Sequence, residues 1–151
     1  LRLLIVAVGR LKSGPHLDLQ RFYAERLTAP LEIREVEERR KLPAAVRQAS
    51  EGELLLAALP ERAVAVALDE RGKQLSSADF AKQIAKWQQA APTIAFLIGG
   101  ADGHSAAVRA RADCLLALGA MTWPHLMVRA MLCEQLYRAQ QILAAHPYHR
   151  E

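Results

Sequence analysis

The sequence is poor in cysteine and has no long apolar run. Its 151 residues include two cysteines, Cys114 and Cys133, each alone in an apolar segment and with no Cys-x-x-Cys pair. That leaves no disulfide framework, and both read as small buried side chains in a reducing compartment. No apolar stretch approaches the roughly 20 residues that span a bilayer, so no membrane partner is expected. Leu3–Val8 is too short for a signal-peptide core and lacks a cleavage site, so the expected location is cytoplasmic. Other signatures are missing too. There is no Gly-x-Ser-x-Gly elbow and no pair of catalytic carboxylates. There is no dinucleotide fingerprint, no Walker loop, no repeat and no linker. His146 and His149 form no metal pair, because Pro147 breaks the helix that would align them and no acid or cysteine completes a set; no metal is expected.

What is present is a single globular domain, residues 1–151, with 52% hydrophobic and 24% charged residues. The net charge of +4 and pI near 9.4 favour phosphate-bearing partners without separating RNA from a nucleotide.

Apolar runs and helical periods alternate along the chain. Leu3–Val8, Ala63–Leu68 and Thr93–Ile98 read as strands buried on both faces, and Leu31–Val36 as a half-exposed strand. Leu17, Phe22 and Leu27 mark a first helix, closed by Pro30. A second helix starts at Pro43 and runs through Val46 to Leu59. Ser76–Asp79 opens a third, with Phe80, Ile84 and Trp87 at helical spacing. A short helix, Ser105–Ala112, precedes the apolar stretch Cys114–Leu118, and a long helix covers Leu126–Ala145. This alternation predicts an α/β fold, a parallel sheet with helices on both faces. Ligands of such sheets bind at the carboxyl ends of the strands. The segments after Leu68, Ile98 and Leu118 all fall there, with Asp69–Lys73 expected to turn at its strand's end.

Gly99–Gly103, between strand and helix, lets backbone N–H groups approach a ligand, or is simply a tight turn. Asp69 either contacts a ribose or forms a turn. Gly119–His125 suits a planar ring walled by Met121 and Trp123, or is a connecting loop around a core tryptophan; His125 either caps the last helix or pairs with a neighbour. The last helix is more apolar than one face requires, which suggests a second copy as partner. Arg129 and Arg138 either bind phosphates or pair with Glu134 on the same helix. Tyr148, flanked by His149 and Arg150, suits stacking on an RNA base.

Three stretches carry a resemblance: Phe96–Gly103, Met121–Arg129 with its Pro124-His125 pair, and Glu134–Ala139 with the terminal Pro147–Glu151. In this order they resemble the RlmH family of bacterial large-subunit rRNA pseudouridine methyltransferases, in the SPOUT superfamily. The match extends over essentially the whole chain. The resemblance implies a C-terminal trefoil knot, a homodimer, S-adenosylmethionine as methyl donor, and N3 of pseudouridine 1915 in 23S rRNA as acceptor, within the ribosome or its large subunit. It places cofactor contacts on Leu68, Gly100, Gly119, Ala120, Met121, Thr122, Trp123 and Pro124, and substrate-side catalytic residues on Arg138, Tyr148 and His149. Gly119 stands where the family commonly has serine, so backbone contacts are expected there and a hydroxyl contact is not. The acceptor nitrogen must lose a proton, and His149, or water it positions, is the expected base. The competing reading is a dimeric α/β module that binds a nucleotide or RNA without chemistry.

Overall fold

The computed structural model describes residues 1–145 and Tyr148. Five parallel strands form one sheet in the order β2-β1-β4-β3-β5: β1 (Arg2–Val8), β2 (Leu31–Val36), β3 (Ala63–Gln74), β4 (Thr93–Ile98) and β5 (Cys114–Ala117). The intervening helices are α1 (Pro15–Ala24), α2 (Ala44–Ala57), α3 (Ser77–Ala90) and α4 (Ala106–Arg111), and α5 (His125–Leu143) follows β5.

The alternation of side chains along each strand divides the core into two layers. Leu3, Ile5, Ile94 and Phe96 pack with Phe80, Ile84 and Trp87 of α3 and with Leu132, Cys133 and Leu136 of α5. Leu4, Val6, Ala95 and Leu97 pack with Leu55 of α2 and Val108 of α4. With α1 against α5, three helices cover one face and two the other, which is the expected α/β/α arrangement. β4 is buried along its whole length, as its unbroken apolar run requires. Ser76 caps α3 by accepting the Asp79 N–H at 3.0 Å.

Three local expectations are corrected. Asp69–Lys73 is not a turn: β3 continues to Gln74, and after a register shift Lys73 and Gln74 pair with Leu116 and Ala117. Gly72 makes this possible, since a Cβ there would stand 2.5 Å from the Leu115 carbonyl carbon. α1 ends at Ala24, and Phe22 is exposed with the Arg26 guanidinium over its ring; Tyr23 packs against the core in its place. Arg129 does not pair with Glu134. Its side chain is 1% exposed, and Nη1 donates to Glu35 Oε2 at 2.6 Å. Nη2 donates to the Val8 and Gly9 carbonyls at 3.2 and 2.9 Å.

Burial raises Glu35, but the Arg129 and Leu11 bonds and the charges of Arg129 and Arg10 outweigh it, so its pKa lies below the ordinary 4.5. A depressed carboxylate contributes stability that is present above its unfolded value and lost as pH falls through the folded one. Urea denaturation should therefore show stability declining below about pH 4.5. Arg129→Ala should cost about 3–5 kcal/mol at neutral pH and flatten that decline. Burial pushes the Cys133 thiol up to about 12 and also raises half-buried Cys114. A thiol reagent should label Cys114 slowly in the native state, and Cys133 only on unfolding.

Candidate functional site

Parallel strands end their backbone ladders together, and the loops that leave those ends share one rim. Here two of them, with an extended stretch of β3, border a cavity of about 620 Å³. Leu68–Arg71 comes from β3, Gly99–His104 follows β4, and Leu118–His125 joins β5 to α5. Segment 118–124 crosses the strand ends from β5, at one sheet edge, towards β1, where Arg129 is anchored.

The segments are held by α2 from outside and by one another within the rim. Asp102 accepts from Arg47 Nε at 2.7 Å, and its carbonyl accepts from Gln48 Nε2 at 2.7 Å, so α2 grips the glycine loop. That bond, with the nearby Arg47 charge, outweighs burial and keeps the Asp102 carboxyl below its usual range. Gly103 N–H closes the turn on the Gly100 carbonyl at 3.1 Å. A Cβ on Gly100 would stand 3.1 Å from both Glu51 Oε1 and Val8 Cγ1, so only glycine fits this gap without displacement. Asp69 pairs with Arg109 at 3.0 Å and with Arg71 at 3.6 Å. Thr122 Oγ1 donates to Glu70, and Trp123 Nε1 donates to the Leu118 carbonyl at 3.0 Å. Gly119 has φ +106°, which explains glycine at the entrance to this loop.

The walls are largely apolar: Leu68, Ile98, Leu116, Leu118, Met121 and Trp123. Met121 is 74% exposed and Trp123 40%, apolar surface that a ligand would cover. His104 is buried in the lining, its Nε2 3.2 Å from the Leu97 carbonyl. A carbonyl only accepts, so Nε2 carries the proton, and Nδ1 is a buried acceptor with no hydrogen-bond partner among the described residues. Burial lowers its pKa against the Leu97 and Leu68 carbonyls and Asp69.

Of the expected cofactor residues, Leu68, Gly100, Gly119, Met121, Thr122, Trp123 and Pro124 line this cavity and Ala120 does not. Arg138 and Tyr148 come together elsewhere. Arg138 donates to Glu134 at 2.9 and 2.5 Å and lies 5.2 Å from the centre of the Tyr148 ring. Tyr148 donates to Glu134 at 3.3 Å and meets Tyr137 edge-on at 4.7 Å. Burial, followed by hydrogen bonding and charge effects from Tyr23 and Glu134, pushes its hydroxyl up to about 12. From His125 to Arg138, α5 advances by about 20 Å at 1.5 Å per residue, so within one chain this cluster is remote from the cavity. His149 lies outside the described residues. Sequence reasoning missed His104, Arg109 and the Glu70–Thr122 tie, because only folding brings their partners together.

A family model described as a predicted SPOUT methyltransferase matches residues 1–149. "Ribosomal RNA large subunit methyltransferase H" of Paramagnetospirillum magneticum is 56% identical over 151 residues, covering 99% of each chain. The proteins of that name from Rhodospirillum centenum and Rhodospirillum rubrum are 54% and 53% identical at the same coverage. A solved SpoU methyltransferase, AviRb of Streptomyces viridochromogenes in complex with the cofactor AdoMet, superimposes with a TM-score of 0.49 and 19% identity. That superposition covers 93% of this chain and 58% of that one, and it is too loose to add weight. On the family match and the full-length relatives, this chain belongs to the SPOUT methyltransferase family.

Proposed function

We propose that this protein, as a cytoplasmic homodimer, methylates N3 of pseudouridine 1915 of 23S rRNA in the ribosome or its large subunit, with S-adenosylmethionine as donor. The observation that carries the reading is the convergence on one cavity of the two strand-end loops after β4 and β5 with the Leu68–Arg71 stretch of β3. Its volume suits a cofactor of this size. Its walls offer apolar cover for an adenine ring, and the lone pair on His104 suits an amino or hydroxyl donor.

When bound, S-adenosylmethionine supplies a methyl group whose bond to sulfur breaks, leaving the pair on sulfur, as the bond to nitrogen forms. The residues of the chain provide placement and exclusion of water. Leu68, Gly100, Gly119 and Met121–Pro124 hold the cofactor, the glycines through their backbones, while Met121 and Trp123 cover it. Arg138, Tyr148 and His149 serve the RNA, with Tyr148 kept protonated as a donor and Arg138 facing phosphate or base.

The 20 Å or so between the cavity and Arg138 is bridged in a dimer if the partner subunit supplies its tail. A groove of about 480 Å³ beside α5, lined by Leu19, Tyr23, Met127 and Met131, supports such an interface. Passage of α5 through the loops at the strand ends would make the family's trefoil knot. The crossing of segment 118–124 over those ends supports it.

Calorimetry should show S-adenosylmethionine binding, and a parallel fluorescence titration a change in indole emission that is lost in Trp123→Phe, since Trp87 is buried in the core. Gly100→Val should abolish that binding. Labelled methyl groups should enter large subunits from a deletion strain and not free nucleosides; mass mapping that finds the same methylated pseudouridine without the gene would contradict the assignment. Mixing Gly100→Val with Arg138→Ala should restore roughly a quarter of wild-type sites, because half the dimers are mixed and each holds one intact composite site. No recovery in verified mixed dimers would contradict sharing.

A further inference from the structure

We infer that His125 is the group that accepts the proton from the acceptor nitrogen, an inference that rests on the methyl-transfer reading above. His125 is the first residue of α5, directly after the Pro124 cap. It neither caps the helix nor pairs with a neighbour. Its half-buried ring lines the cavity, and no described residue engages either ring nitrogen. On its other side, Nε2 lies 3.7 Å from where a Cβ of Gly9 would stand. Gly9 has φ +98° and no side chain, so β1's end packs closely against this flank of the imidazole, beside the Arg129 guanidinium, and fixes the ring at the edge of the cavity.

The other proton acceptors in the lining are already committed. Asp69 is paired with Arg109 and Arg71, Glu70 is bonded to Thr122, and Asp102 is bonded to Arg47. His104 is only 4% exposed and shares its ring with the Leu97 carbonyl, so it has no route for passing a proton to solvent.

Three effects keep His125 uncharged and ready to accept. Burial comes first, and the Arg129 guanidinium one turn along the helix adds to it; both lower its pKa from the ordinary 6.5. The amino end of α5 also disfavours a cation. The neighbouring carboxylate, Glu35 on β2, is held by Arg129, while Asp69 and Glu70 across the cavity are bonded as described. In the step itself, an imidazole nitrogen forms a bond to the proton of the ring N–H. The electron pair of that N–H bond stays on the acceptor nitrogen and makes the new bond to carbon. The imidazolium then returns its proton to water.

The test compares His125→Asn and His125→Gln with wild type and His149→Ala, using single-turnover methyl transfer to large subunits across pH. Calorimetry with S-adenosylmethionine and imidazole-ring NMR of the cofactor-free chain run alongside. In wild type, the rate should fall on an acid limb below pH 6.5, matching the titration of the His125 ring seen by NMR. Both His125 variants should lose the limb and at least about 100-fold in rate, keep cofactor affinity within about threefold, and regain rate with added imidazole. A rate within threefold of wild type in either variant would overturn the assignment. So would rate and cofactor affinity lost together, which marks a binding residue, or a limb that survives in His125→Asn and vanishes in His149→Ala. Wild-type chain that neither binds S-adenosylmethionine nor methylates the subunit would sink the parent reading instead.

Discussion

The buried guanidinium of Arg129 is the contact on which the site's geometry depends. It leaves α5 one turn after the helix begins and reaches the ends of two strands, through the carbonyls of Val8 on β1 and of Gly9 just beyond it, and through Glu35 on β2. A planar fork with several fixed donors suits this task, where a lysine ammonium would satisfy fewer acceptors in fixed directions. Because the start of α5 is pinned over β1 while β5 lies at the far edge of the sheet, the connecting segment has to cross the strand ends. That crossing lays Met121, Thr122, Trp123 and Pro124 along the cavity and sets His125 at its edge.

The charges around the cavity are largely engaged with one another. Arg109 and Arg71 occupy Asp69, Arg47 occupies Asp102, and Glu70 binds Thr122. Such pairs hold the loops in place and leave apolar walls, backbone groups and two neutral imidazoles to meet a ligand. The walls of the cavity thus all come from one chain. The aromatic and cationic cluster of Tyr137, Arg138 and Tyr148 stands at the other end of α5, the separation that the proposed dimer would bridge.

Much of this was legible in the chain. The unbroken apolar runs of β1 and β4 have no polar face to present to water, so burial between helix layers was their stable arrangement. Pro43, Ser76 and Ser105 mark helix starts where their backbone or side-chain chemistry requires them. The segments after Leu68, Ile98 and Leu118 were readable as one rim because parallel strands align their carboxyl halves, although the first is still strand. β3 was harder: Asp69-Glu70-Arg71-Gly72-Lys73 has turn composition, yet it stays extended because β5 offers it a backbone partner and Gly72 lets that partner come close. Phe22 has the right helical spacing for the core but lies on the outer side of α1, where Arg26 covers it.

The sequence alone determined the α/β class, the strand-end location of the site, the family resemblance and most of the cavity's lining, because local periodicity and motif order carry that information. The tertiary structure decided which charges are free. Arg129 finds Glu35 across 94 positions, Arg47 finds Asp102 across 55, and Arg138 stays with Glu134 on its own helix. An arginine's partner depends on distances that exist only once the sheet is assembled. For the same reason, only the folded chain shows His125 beside the cavity with no hydrogen-bond partner among the described residues.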